Sequence, residues 1–191
     1  MRKTIHIGIV AILFGFTLWS CSTTYTKYSS DIRDGKEFLN EQEYAKAEGA
    51  FQDAVNNQRD QASLAFLAIT EYRMGNLESA EKLIQEAAQS KTSTLYNIRA
   101  FGYRAIILMK RDKAQGLVAL KDYISRYEYS YPLPSIKDLK KMVATGAVDE
   151  ARLEKIIDDE IWWYETEVEQ YLSTGTGFYD RLGRDNGGVF H

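Results

Sequence analysis

The chain has 191 residues, 45% of them hydrophobic, which is enough to bury one core and too few for two. Its formal net charge is −3, and it becomes −5 when the first twenty residues, which hold two basic side chains and no acidic one, are left out. This mildly acidic balance argues against nucleic acid and anionic lipid as partners, because both need a concentrated basic face. The two prolines are Pro132 and Pro134, so long helices are permitted through the middle of the chain.

The N-terminus has the layout of a secretory signal peptide. Arg2 and Lys3 give a positive start, and a largely apolar run follows over residues 5–16. This run is shorter than the roughly 20 apolar residues that span a bilayer. We therefore expect residues 1–20 to be cleaved rather than retained as a membrane helix.

The end of this segment resembles the lipobox of bacterial lipoproteins, in which a leucine three residues before a cysteine and a small residue just before it position the thiol for diacylglycerol transfer. Leu18, Ser20 and Cys21 match that pattern, whereas Trp19 is larger than the usual side chain. The resemblance implies that Cys21 carries lipid, including an acyl chain such as palmitate, and that Ser22 in place of Asp directs the protein to the outer membrane, facing the periplasm. The alternative is an ordinary buried cysteine, but a single cysteine in an exported protein has no internal disulfide partner.

A short polar segment follows the cysteine. Residues 22–30 are mostly Ser, Thr, Tyr and Lys without an apolar period, so we interpret residues 21–30 as a lipidated tether. Nine residues reach at most about 30 Å, which keeps the folded domain close to the membrane surface.

A four-residue pattern occurs twice in the middle of the chain, 33 residues apart. The first copy is Tyr44, Ala47, Phe51 and Ala54, and the second is Leu77, Ala80, Ile84 and Ala87. In both copies the spacing of 3, 4 and 3 residues places the side chains on one face of a helix, where the alanines allow a neighbouring helix to approach closely. A unit of 33 residues fits two antiparallel helices, which bury their apolar faces by stacking on the next pair.

These residues resemble the tetratricopeptide repeat (TPR). Matching positions are Gly35, Phe38, Tyr44, Ala47, Phe51 and Ala54 in the first unit, and Leu67, Ala68, Gly75, Leu77, Ala80, Ile84 and Ala87 in the second. The family's early Trp is Asp31 here, and its closing Pro is absent from both units. A third, degenerate unit with Gly116, Leu120 and Tyr123 is offset by 36 residues. The resemblance implies an all-α fold, a TPR-type stack of helical hairpins over residues 31–172 with two clear repeats and one degenerate repeat.

Two further helices are predicted to close the stack. Pro132 and Pro134 end the sixth helix, and a short helix follows up to Gly146. A longer helix over 149–172 carries an apolar stripe at steps of three and four residues, which should pack on the third repeat. Residues 173–191 contain five glycines and are interpreted as a flexible tail, or as a segment ordered only by a partner.

Trp162 and Trp163 widen the apolar stripe of the longer helix. One interpretation is a capping helix buried on two sides, because aromatic side chains mostly lie in cores. The other makes Trp162 an exposed anchor for a partner protein, because tryptophans dominate interface energies.

The residues for enzymatic or metal chemistry are few. Beyond the signal peptide, the only histidine is His191 and the only cysteine is Cys21, so Ser-His-Asp, Cys-His and zinc sites lack candidates, and we predict no cofactor and no metal. The carboxylates Asp158, Asp159 and Glu160 could in principle support acid–base chemistry or hold a hard cation. We interpret the acidic residues of this helix as its solvated face.

The predicted function is that of a non-catalytic, membrane-anchored adaptor that binds an envelope protein or peptide segment. This follows from a resemblance to TPR lipoproteins, which are similar to pilotins and to the assembly factors of outer-membrane machines. The groove-facing positions of that family fall on Ile32, Lys36, Leu39, Asn40, Ala65, Ile69, Tyr72 and Arg73. The clamp that some TPR domains use for a terminal carboxylate is not matched, since Ile32 and Lys36 occupy two of its positions, so an apolar or mixed ligand is expected.

Two alternatives remain open. The first is a self-associating structural lipoprotein, a homo-oligomer in which the Trp162 region or the glycine-rich tail completes a neighbour's stack. The second is an enzyme that uses the acidic helix.

Overall fold

The computed structural model describes residues 25–90, 95–128 and 134–176. The predicted signal peptide over 1–20, the lipidation of Cys21 and the tail beyond residue 176 lie outside the described residues.

The described residues form eight helices and no strand. The helices are α1 (25–40), α2 (Tyr44–Asn57), α3 (Gln61–Arg73), α4 (Leu77–Gln89), α5 (Asn97–Arg111), α6 (Lys113–Tyr127), α7 (Ile136–Thr145) and α8 (Glu150–Thr174). None of them, within the described ranges, combines the length and the hydropathy needed to cross a bilayer. The all-α prediction is confirmed.

The first six helices pack as three consecutive hairpins, as the repeat pattern predicts. Helices α1 and α2 touch at Gly35, where a Cβ atom would lie 2.5 Å from the ring of Phe51. The Phe51 ring stacks on Phe66 of α3 with centroids 5.1 Å apart, and Phe66 meets the edge of Tyr96, next to α5, at 5.0 Å. These aromatic contacts connect the three hairpins into one core.

The repeated side chains provide the packing between the helices. The alanines and bulky residues at the last three positions of both copies are fully buried: Ala47, Phe51, Ala54, Ala80, Ile84 and Ala87. Leu120 and Tyr123 are fully buried in the third hairpin, so the degenerate unit packs in the same manner. The hydrophobic residues bury their apolar area between helices that could not fold singly.

Helix α1 begins earlier than the predicted domain. It is already helical at residue 25, within the predicted tether over 21–30. Tyr28 lies one turn before the buried Ile32, and its hydroxyl donates to the Asp60 carboxylate at 2.8 Å. These contacts with the next hairpin make residues 25–30 part of the fold and shorten any tether to residues before 25.

Helix α8 packs on the third hairpin, as its apolar stripe predicts. Leu153, Ile157 and Ile161 are buried, and a Cβ atom on Gly102 of α5 would lie 2.6 Å from Ile157. Helix α8 also extends beyond this hairpin, because Asp158 pairs with Arg73 of α3. The capping helix therefore crosses the face formed by α1, α3 and α5, which we call the first-helix face.

Gly116 and Gly49 should respond in opposite directions to substitution by alanine. A Cβ on Gly116 would overlap the backbone of Met109 on α5, so Gly116→Ala should destabilise the protein by about 2 kcal/mol or more. Gly49 is exposed on α2 with nothing within 4 Å of an added Cβ, so Gly49→Ala should stabilise it by about 0.5–1 kcal/mol. Urea unfolding of both variants measures the difference, and equal midpoints would contradict the close approach of α5 and α6.

Candidate functional site

The structure places the predicted groove residues in three environments. Ile32 and Ile69 are buried in the core, together with Ala65. Lys36, Tyr72 and Arg73 contact helix α8 through their polar ends. Leu39 and Asn40 line an open cleft next to α8. The predicted anchor Trp162 is 62% exposed, on the outer side of α8.

Arg73 is the centre of a polar network between the second hairpin and α8. Its guanidinium pairs with Glu154 and lies 2.9 Å from the carboxylate of Asp158. The hydroxyl of Tyr72 donates to Glu154 at 2.6 Å, and that of Tyr103 donates to Asp158 at 2.6 Å. Burial and the adjacent Asp158 carboxylate raise the pKa of Tyr103, so its hydroxyl stays protonated and remains a donor.

Arg99 forms a second, more deeply buried connection. Its guanidinium donates two hydrogen bonds to Glu165 of α8, at 2.9 and 2.8 Å. The side chains of Arg99 and Glu165 are only 16% and 9% exposed, and the guanidinium lies over the Phe66 ring at 4.7 Å. Two parallel bonds and an aromatic face hold this ion pair in one geometry.

Helix α8 leaves an opening on the first-helix face. It is a cavity of about 370 Å³, which we call the cleft, lined by Leu39, Asn40, Gln42, Tyr44, Ile69, Arg73, Arg99, Tyr103 and Asp158. Four of these nine residues belong to the predicted groove set. The lining combines an apolar wall, an amide, two guanidinium groups and a carboxylate, which suits a ligand with mixed side chains.

Several cleft residues were not predicted from the sequence. Arg99 and Tyr103 belong to the degenerate third hairpin. Its offset differs from that of the first two repeats, so the groove positions of the TPR family could not be aligned with its residues. Tyr44 was assigned to the packing pattern, although it also lines the cleft. Gln42 lies in the turn between α1 and α2 with a left-handed backbone, φ 63°, and no sequence pattern marks it.

A second concave surface lies on the outer side of α8. Trp162 and Trp163 are 62% and 51% exposed, and their rings lie nearly perpendicular, at 86°, with centroids 5.8 Å apart. Together with Pro134, Ser135, Asp159 and Glu160 they line a cavity of about 400 Å³, which we call the tryptophan corner. Of the two interpretations of these tryptophans, the structure supports exposure.

The interpretation of the α8 carboxylates as a solvated face is wrong for Glu160 and Glu165, which are buried. Glu160 accepts hydrogen bonds from the Tyr123 hydroxyl at 3.0 Å and from the Ser135 N–H at 3.2 Å. Burial raises the pKa of Glu160 to about 7, although these two hydrogen bonds act in the opposite direction. The hydrogen-bonded carboxylate connects α8 to α6 and to the start of α7.

The three candidate carboxylates of the acidic helix do not converge. Asp158 bonds to Tyr103 and Arg73, Asp159 bonds to Lys155, and Glu160 points to the opposite side of the helix toward α6. Across the part of the chain that the structure describes, no three acidic, cysteine or histidine side chains are grouped as metal ligands.

The cleft and the tryptophan corner are two concave surfaces of the described residues on which a ligand could rest. Comparison of the chain with models of protein families, with curated protein sequences and with solved structures found no match.

Proposed function

We propose that this chain is a non-catalytic TPR-type adaptor, anchored to the outer membrane by a lipid on Cys21 and facing the periplasm, that binds a protein partner during assembly of a cell-envelope complex. Secretion and pilus machines are the kind of complex that uses such adaptors. The observation that carries the binding role is the open cleft on the first-helix face, with its mixed lining of Leu39, Asn40, Arg73 and Arg99.

The architecture supports a binding role in two ways. Stacked hairpins form a rigid extended surface on which ligand-contacting side chains need little reorganisation. The cleft walls come from α1, α3, α5 and α8, and the ion pairs of Arg73 and Arg99 fix two of these walls relative to α8. A peptide that enters the cleft would meet a site that is already formed.

The membrane anchor is tested by labelling with a palmitate analogue. Wild-type protein should incorporate the label, because the Cys21 thiol is the acceptor that the lipobox resemblance implies. Cys21→Ser should not incorporate it, while its helical circular dichroism stays unchanged because the cysteine precedes α1. Equal labelling of both proteins would contradict the anchor.

The binding role is tested by crosslinking in cells with a photoreactive amino acid at Asn40, in the cleft. The matched control position is Val118, which is 65% exposed on α6, a second helix of a hairpin. A partner should be trapped from position 40 and not from position 118. Its binding to the purified protein should weaken about tenfold in Asn40→Trp, because the indole fills the cleft mouth. Equal trapping at both positions, or none in the cleft, would contradict the proposal.

Self-association is the second candidate, favoured by the exposure of Leu172 near the end of α8. This side chain is 69% exposed although it continues the apolar stripe of the helix. Sedimentation equilibrium of the chain without its first 21 residues separates the two candidates. A monomer over a wide concentration range would exclude self-association, whereas a dimer that Leu172→Asp dissociates would favour it.

A further inference from the structure

The tryptophan corner has the form of a site rather than of an incompletely covered core. The two indole rings stand nearly perpendicular in an edge-to-face contact, and both line the cavity together with Pro134 and Ser135. Both rings are more than half exposed, whereas the apolar side chains that attach α8 to the hairpins are buried. The exposed rings therefore contribute little to holding α8 in place, and their removal should leave the fold intact.

The electrostatics of the corner favour a cation. Helix α8 carries eight acidic and two basic side chains, and six of the carboxylates pair with cationic side chains, so the charged group that the corner itself presents is the exposed Asp159 carboxylate. The faces of indole rings attract cations through their quadrupole, with tryptophan the strongest of the aromatic side chains. The Asp159 carboxylate at the edge of the cavity adds a full negative charge, and it is 59% exposed.

A cation already lies close to this carboxylate. The Lys155 ammonium bonds to Asp159 at 2.7 Å, one helical turn away, and is 73% exposed. Such exposed pairs contribute at most about 1 kcal/mol, so an arriving cation can replace the lysine on the carboxylate. The pair shows that a cation is stable next to the Asp159 carboxylate. A cation from a partner could contact the carboxylate and the two indole rings together.

Resting on the proposed adaptor function, we propose that the tryptophan corner binds an arginine or lysine side chain that the protein partner presents, held between Trp162, Trp163 and Asp159. The cavity of about 400 Å³ is large enough to enclose a guanidinium or an ammonium group together with part of its aliphatic stem. The partner is thereby a protein that presents a basic side chain to the tryptophan corner on α8.

Intrinsic fluorescence tests this site directly. The chain has three tryptophans, and Trp19→Phe leaves Trp162 and Trp163 as the only indoles whether or not residues 1–20 are cleaved, so the protein in detergent reports on the corner alone. The probe is a blocked pentapeptide with two arginines, and its control replaces both by citrulline, which has the same shape without the charge. We expect saturable quenching by the arginine peptide and binding about tenfold weaker for the citrulline peptide.

Variants then localise the effect. Trp162→Ala and Asp159→Asn should each weaken binding of the arginine peptide several-fold. Asp159→Asn keeps both indole rings, so its fluorescence can be compared directly with that of the parent. Lys155→Met should strengthen binding, because it frees the Asp159 carboxylate. Val118→Ala, which changes a side chain 65% exposed on α6 and outside the corner, is the matched control and should bind as the parent does.

Three results would overturn the inference: equal affinity for the arginine and citrulline peptides, no saturable quenching by either, or quenching unchanged in Asp159→Asn and Lys155→Met. A blue shift on transferring the protein from detergent into phosphatidylcholine vesicles, without any response to the peptide, would overturn it in favour of a membrane surface. The adaptor function can be judged separately, because crosslinking from Asn40 in the cleft does not depend on the corner. A trapped partner without peptide binding would reject only the tryptophan site.

Discussion

Replacing Arg99 by methionine should lower the free energy of unfolding by about 3–5 kcal/mol, because it leaves the buried Glu165 carboxylate without its counter-charge. The wild-type pair is bidentate and almost fully enclosed between α5 and α8. Methionine keeps the aliphatic volume against Phe66 but supplies neither hydrogen bond. Urea unfolding followed by circular dichroism measures the loss.

The exposed pair Arg59–Glu86 provides the matched control for this substitution. It is also bidentate, with both distances 2.6 Å, but its side chains are 52% and 41% exposed. Arg59→Met should therefore cost no more than about 1 kcal/mol, since water solvates Glu86 once the arginine is gone. Changing Arg99 and Glu165 together to apolar residues should recover most of the loss. Similar losses of free energy of unfolding in Arg99→Met and Arg59→Met would show that burial does not determine how much each ion pair matters for stability.

The second large effect is a pH dependence of stability that originates at Glu160. The folded protein holds this carboxyl with a pKa of about 7, against 4.5 for an unperturbed glutamate. Between these values the folded state binds a proton that the unfolded state does not, so the free energy of unfolding falls as the pH rises. The contribution is fully present below pH 4.5 and is lost above about pH 7. The difference amounts to about 3 kcal/mol.

The variant Glu160→Gln isolates this contribution because it keeps the shape of the side chain without the charge. Its free energy of unfolding should fall less than that of the wild type between about pH 5 and pH 8, the range in which the wild type loses the contribution of Glu160. The groups facing Glu160 are the Tyr123 hydroxyl, the Ser135 N–H and the neighbouring Asp159 carboxylate. Asp159→Asn removes the charge of the exposed neighbour, and in this variant the free energy of unfolding should still fall between about pH 5 and pH 8 as it does in the wild type. Parallel profiles for the wild type and Glu160→Gln would contradict the assignment.

The sequence predicted the architecture because its signal is periodic. The repeated spacing of alanines and bulky residues identified which faces of α2 and α4 are buried, and Phe51 and Ile84 lie where the pattern placed them. The apolar stripe of α8 likewise predicted its contact with the third hairpin, confirmed at Gly102 and Ile157. Short-range periodicity determines which side of a helix packs, and it needs no knowledge of distant partners.

The path of α8 across the first-helix face could not be predicted in the same way. Its carboxylates have the spacing of a solvated face, yet Asp158 and Glu165 bond to arginines 85 and 66 residues away. An ion pair between residues so far apart leaves no local pattern on either helix. For this reason the sequence predicted only part of the cleft. Leu39 and Asn40 were predicted from the repeat, whereas Arg99 and Asp158 line the cleft because of the position of α8.

Helix α8 changes how the stack should come apart. A solenoid of hairpins contacts only its nearest neighbours and can fray from either end, one hairpin at a time. Here one continuous helix touches all three hairpins, through Lys36, Arg73 and Arg99, so an end hairpin cannot open without breaking contacts that the others share. The domain should therefore melt in a single cooperative step, with amide exchange in α2 and α5 governed by the same global opening.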